Sequence, residues 1–179
     1  MRTRTSPVVR LILALAVAGC AGDGTVASLA PQGAAIRSGT VSAAGGATAD
    51  RPWTGQCEVD AEFTGPTTVM IVGTCQLAHL GRTTVVTQET LAWETATSAA
   101  FTNSSTYTAA NGDLLYTTGS GEMRIGADGT ATVTGTFTAI GGTGRFSNAS
   151  GTAAYAESVR LTSASTAAGT YTLDGRLAY

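Results

Sequence analysis

The chain has 179 residues, 12 acidic against 10 basic side chains, a formal net charge of −2 and no lysine. That balance excludes the clustered positive charge on which nucleic-acid binding or a polybasic membrane patch depends. With three cysteines and a single histidine, few side chains are left for metal or triad chemistry, and neither a cofactor nor a metal site is expected.

In chain order, the first element is a leader. Arg2, Arg4 and Arg10 flank or interrupt an apolar run from Val8 to Ala18. The run is too short to span a ~30 Å hydrocarbon core as a helix and reads as a signal peptide over 1–19. It ends Val17-Ala18-Gly19-Cys20. An aliphatic residue, two small ones and a cysteine resemble the lipobox of bacterial lipoproteins. By that resemblance Cys20 carries a diacylglycerol, becomes the mature N-terminus and is acylated there. The protein is then exported and tied to the cell membrane through lipid, its membrane partner. Ala21 after the cysteine, rather than Asp, implies the outer membrane where the source has one. Two or three acyl chains anchor firmly because each buried methylene contributes about 0.8 kcal/mol. Ordinary secretory cleavage is the competing reading, since Ala14-Leu15-Ala16 and Ala16-Val17-Ala18 also place small residues correctly. Loss of the leader leaves seven basic against twelve acidic side chains, a net charge of −5.

From residue 20 to 52 the chain is Ala, Gly, Ser and Thr with Pro31 and few large apolar residues. Such a segment buries too little surface to repay ordering and reads as a flexible tether. An edge strand over 36–41 is the alternative.

The folded part is expected over 53–179, enough for one core. Its hydrophobicity alternates with period two. Trp53, Gly55, Cys57, Val59, Ala61 and Phe63 alternate with Thr54, Gln56, Glu58, Asp60 and Glu62. Ala131, Val133, Gly135, Phe137 and Ala139 alternate with threonines. Tyr171, Leu173, Gly175, Leu177 and Tyr179 share one side. Turn signals fall at Gly65-Pro66, His79 to Arg82, Glu94 to Thr97, Asn111 to Asp113, Ala127 to Gly129, Gly141 to Gly144 and Ser163 to Ala168. Evenly spaced hairpins predict an all-β domain, an antiparallel eight-stranded up-and-down β-barrel, with a two-sheet β-sandwich as the alternative.

The first hairpin can be registered from the sequence. A turn centred on Pro66 sets Phe63 opposite Val69, Ala61 opposite Ile71 and Cys57 opposite Cys75, with the apolar residues of both strands on one face. Opposed residues lie within disulfide range. In an oxidising compartment, with Cys20 consumed by lipid, a Cys57–Cys75 bridge is expected. No Cys-x-x-Cys is present to suggest a redox pair.

The run Ile140-Gly141-Gly142-Thr143-Gly144-Arg145-Phe146-Ser147-Asn148-Ala149-Ser150-Gly151 resembles a motif of the allene oxide cyclase and dirigent protein group. Ala78-His79-Leu80-Gly81-Arg82 is similar to a segment found upstream of it in exported bacterial relatives. The resemblance implies an eight-stranded barrel with a hydrophobic interior, able to bind or isomerise a small hydrophobic molecule. It carries no catalytic residue onto this chain. A phosphate cradle is excluded because a strand, not a helix, is expected after the glycines. Phe146 is expected to plug a barrel end.

Several polar residues share register with apolar ones. Glu157 falls with Tyr155 and Val159, Glu89 with Val85 and Leu91, and Asn103 with Phe101 and Tyr107. His79 continues the row from Val69 to Leu77. Pointing into one cavity, Glu157, Glu89, His79, Asn103 and Tyr155 would face a ligand, and a buried Glu would serve as acid or base. The bland alternatives are a bulge, an open barrel end, a turn for His79 and core for Tyr155. No nucleophile elbow or complete Ser-His-Asp set can be assembled, so a non-catalytic role is favoured. Three readings follow: a lipid-anchored binding or structural module of the cell envelope, a barrel for a small hydrophobic molecule, and a surface adhesion or docking protein.

Overall fold

Alternating β-branched and aromatic residues between turn-forming Gly, Asn, Asp and Pro produce a chain of hairpins. The structure, a computed structural model, describes residues 49–179; the leader, Cys20, the tether as far as residue 48 and the segment 36–41 lie outside the described residues. The strands are β1 (Asp50–Pro52), β2 (Gly55–Phe63), β3 (Thr68–Leu77), β4 (Gly81–Trp93), β5 (Ser98–Thr108), β6 (Leu114–Ile125), β7 (Thr130–Gly142), β8 (Ser150–Leu161) and β9 (Thr166–Ala178). From β2 onward each strand pairs antiparallel with the next, and β9 pairs with both β8 and β2. Strands β2 to β9 therefore close an eight-stranded up-and-down barrel. The sandwich alternative fails because the ring of pairings has no break.

The chain joins the barrel at Asp50, before the expected start at Trp53. β1 continues β2 along β9 without a change of register. Pro52 faces Arg176, the Trp53 N–H donates to the Gly175 carbonyl at 2.9 Å, and Gly55 faces Leu173. Arg176 and Asp50 add an exposed ion pair at 3.0 Å.

Register explains the core. The hairpins set Phe63 against Val69, Thr68 against Thr90, Thr84 against Thr108, and Thr130 against Arg160. In each pair both numbers are odd or both are even, so parity passes from strand to strand. Odd positions point inward, and Cys57, Val85, Phe101, Tyr107, Met123, Phe137, Tyr155 and Tyr171 are all buried. Even positions point outward and are mostly Thr, Ser and charged residues. One irregularity interrupts the pattern, a shift between Leu115 and Thr117 where β6 meets β7. Cys57 faces Cys75 as expected, and the two are joined by a disulfide with their Cα atoms 3.9 Å apart.

Aromatic rings fill the middle of the barrel. Phe137 stacks on Tyr155 at 4.6 Å between centroids, and Phe101, Tyr107 and Tyr171 pack around this pair at 5.9–6.3 Å. Glycines on facing strands make the room. A Cβ on Gly135 would lie 2.8 Å from a Tyr155 ring carbon, and one on Gly121 would lie 2.7 Å from Phe101 Cζ while also striking the Thr134 carbonyl.

The two motif-like segments meet at one barrel end. Gly144–Phe146 forms a single 3-10 turn, and Phe146 is fully buried, edge-on to Tyr179 at 4.8 Å. The Arg145 guanidinium lies 4.6 Å from the Phe146 ring centre and donates to the His79 carbonyl at 3.1 Å. The Arg145 N–H donates to the Asp113 carboxylate at 3.2 Å. Leu80 is buried beside this plug, while His79 turns outward with φ 64°. The expected inward row thus stops at Leu77, because the tight turn reverses the chain and gives the buried place to Leu80.

Two outcomes follow from this packing. Gly121→Ala is expected to destabilise the protein by about 1–3 kcal/mol, whereas the outward Thr136→Ala should change stability by less than about 0.5 kcal/mol; urea titrations of both variants check this. Replacing Cys57 and Cys75 together by Ser is expected to cost about 3 kcal/mol, the chain-entropy value for a loop of about 19 residues. Thiol titration of unreduced protein that found both cysteines free would contradict the bridge.

Candidate functional site

Threonine, serine and two glutamates occupy inward positions that an apolar core would not require. Thr83, Thr87, Asn103, Ser105 and Thr117 are buried, and Glu89 and Glu157 are half-buried. Glu89 and Asn103 face each other on β4 and β5, and the Asn103 amide donates to a Glu89 carboxylate oxygen at 3.2 Å. Glu157 lies on β8 between Val133 of β7 and Tyr171 of β9. In a closed ring of eight strands, β4 and β8 are opposite each other. The two residues therefore line one cavity of about 40 Å³ from opposite sides of the lumen. Its other walls include Phe63, Ile71, Met123, Val133 and Val159. It opens toward the barrel end that carries the four hairpin turns, away from the Phe146 plug.

Low polarity shifts the ionisation of every group here. Burial raises the Glu89 carboxyl from 4.5 to about 7, against the smaller lowering effect of the Asn103 hydrogen bond. Burial, with the nearby Glu89 charge, raises the Glu157 carboxyl from 4.5 to about 8. Tyr155 is pushed up by burial and by both glutamates. Deeper in the barrel the hydroxyls of Tyr107 and Tyr171 share a hydrogen bond at 2.9 Å, and the Tyr171 hydroxyl lies 3.7 Å from Cys75 Sγ. Burial is the main cause that pushes both phenols up. Thr87 donates to Ser105 at 2.8 Å. The Asn103 Oδ1 and Thr117 Oγ1 atoms are buried without a partner.

Of the residues expected to face a ligand, Glu89, Asn103, Tyr155 and Glu157 are brought together and His79 is not. The exposed turn position of His79 removes it from the interior. The imidazole is therefore not available to an interior hydroxyl, and the chemistry open to the site is acid–base exchange, hydrogen bonding and charge pairing by two carboxyl groups. Among the described residues no three His, Cys, Asp or Glu side chains gather as a metal site. Thr83, Thr87, Ser105 and Thr117 are inward polar residues that the sequence reading passed over. The same odd-numbered alternation that singles out Glu89 would have found them. No family model and no curated protein matches this chain.

The raised carboxyls set a pH dependence. Both hold protons in the folded state that the unfolded chain loses above about pH 4.5. Their contribution to stability is thus fully present below about pH 4.5 and is lost as pH rises through about 7 and 8. The protein is expected to be more stable at about pH 5 than at about pH 9. Glu157→Gln should flatten part of this slope and gain on the order of 1–3 kcal/mol at the higher pH. Urea denaturation of the wild type and the variant at both pH values measures it, and identical slopes would contradict the burial of Glu157.

Proposed function

We propose that the protein is a lipid-anchored barrel of the cell envelope that acts as a binding or structural module rather than as a catalyst. Cys20, in its Val17-Ala18-Gly19-Cys20 setting, is the point of attachment, and the barrel stands on the segment that follows. The observation that carries this reading is the filled interior. Stacked rings occupy the middle of the lumen, and the cavity beside the glutamates measures about 40 Å³, against roughly 300–1,000 Å³ for an ordinary small-molecule site.

The outer face supports lipid rather than the barrel as the membrane contact. A barrel that faces lipid carries an apolar band outside and polar residues inside. Here threonines line the outside and aromatic and aliphatic residues the inside. The two interior carboxyls favour a second reading, an allene oxide cyclase-like or dirigent-like barrel that takes a small hydrophobic molecule, for which the cavity would have to widen.

Cys20→Ser tests the anchor. The wild type is expected in the membrane fraction and the variant in the soluble fraction, with an unchanged β-type circular dichroism spectrum. A variant that stays with the membrane overturns the reading.

A further inference from the structure

The two ends of the barrel differ in charge. At the plugged end stand Arg51, Arg82, Arg145 and Arg176, four of the six arginines among the described residues. The carboxylates beside them are already engaged. Asp50 pairs with Arg176 at 3.0 Å, and Asp113 accepts from the Arg145 N–H at 3.2 Å and from the Asn111 amide at 2.7 Å. Among the described residues Arg51 and Arg82 form no ion pair. Arg51 lies half-buried over the Tyr179 ring at 5.3 Å with its Nε–H unpartnered, and Arg82 is exposed at the start of β4. The hairpin end is the reverse. Glu62, Glu94 and Asp128 are exposed there, Arg124 is taken up by Glu122 at 3.2 Å, and Arg160 lies near Asp128.

Exposed apolar side chains do not separate the ends, since Tyr116 and Ile140 stand near one and Trp93 and Leu161 near the other. Charge does. So does the path of the chain. Asp50 pairs with Ala178, so the residues that follow Cys20 reach the barrel at its plugged end. Even fully extended, those between Cys20 and Asp50 span at most about 100 Å. A barrel anchored through Cys20 then meets the membrane surface at an effective concentration on the order of 1 mM. Weak contacts suffice, at that concentration, to choose which end faces the surface.

We propose that the plugged end is the barrel's membrane-facing end, with Arg51 and Arg82 set against anionic phospholipid head groups. The inference rests on the anchoring reading and goes beyond it. Lipid on Cys20 supplies the hold. Four arginines are too few for the polybasic patch that composition excludes, and they supply direction instead. Each uncompensated cation at an anionic surface favours contact roughly fivefold, while the exposed carboxylates of the hairpin end are repelled. Head groups touch only the rim, and the threonine-lined wall stays out of the hydrocarbon.

Two consequences separate the effect of charge from that of the attachment point alone. Orientation must require anionic lipid. It must also weaken with salt, because exposed charges farther apart than about 10 Å are screened at about 0.1 M.

The experiment is energy transfer on the lipid-bearing full chain, purified from membranes and reconstituted in vesicles that hold an acceptor lipid. The donor dye sits on Asn148→Cys in the plugged-end turn or on Ala96→Cys in the turn between β4 and β5, two exposed positions about 30 Å apart along the barrel. In vesicles with phosphatidylglycerol at low salt, transfer from position 148 is expected to exceed that from position 96 by at least about twofold. The ratio should fall to its phosphatidylcholine value at about 0.5 M salt, and Arg82→Gln should lower it at low salt. A ratio that is the same in phosphatidylglycerol and phosphatidylcholine, or unchanged by salt, overturns the proposal, and both are read without altering an arginine. Partition of Cys20→Ser reads the anchor separately. An anchored barrel with no lipid-dependent ratio refutes the orientation alone, and a Cys20→Ser variant that stays with the membrane refutes the anchor alone.

Discussion

Hydrogen bonds join β9 to β2 on one side and to β8 on the other, and a sheet closed in this way has only one inside. Closure removes the free edges that an antiparallel sheet would otherwise expose. It also gives every alternate residue a fixed destination. Because the hairpins preserve parity, the direction of one side chain sets the direction of nearly all the others. A slip of one residue in any hairpin would send an aromatic row outward and a threonine row inward. The disulfide between Cys57 and Cys75 pins the first hairpin against such a slip.

The interior has limited volume, and the rings of Phe101, Phe137 and Tyr155 occupy much of it. Gly121 and Gly135 are the other half of that arrangement, since a Cβ there would strike the rings. At the plugged end, Arg145 ties the glycine-rich run to the Ala78–Arg82 turn through the His79 carbonyl. The two segments that carry a family resemblance are therefore parts of one structural device, distant from the carboxyl-lined cavity. Their pairing closes one barrel end, while Glu89 and Glu157 line a cavity toward the opposite end.

Much of the barrel can be read directly from the order of residues. Alternation from Trp53 to Phe63 and from Thr130 to Ala139 identifies strands and their buried faces. Pro66 as a turn centre predicts the pairing of Cys57 with Cys75. Gly65-Pro66, Asn111-Gly112 and Asp128-Gly129 mark reversals through local backbone preference, which needs no distant partner. The same alternation places Glu89, Asn103, Tyr155 and Glu157 inward. Carried past Leu77 the alternation would place His79 inward as well, but the turn signal from His79 to Arg82 marks the reversal, and His79 sits exposed in that turn. The alternation gives no warning that Asp50 to Pro52 would join β9, since that short segment has no alternation of its own.

By itself, then, the sequence determined the strands, their faces and the register of the first hairpin, all of which depend on neighbours within a few residues or across one turn. It also carries the Val17-to-Cys20 run on which the anchoring proposal rests. Only the tertiary structure decided that the ring closes without a break, that the lumen is filled with rings, and that Glu89 and Glu157 line one cavity from opposite strands. Those facts depend on strands separated by half the circumference of the barrel. Their distance is set by strand number, side-chain volume and closure together, and no local pattern encodes it.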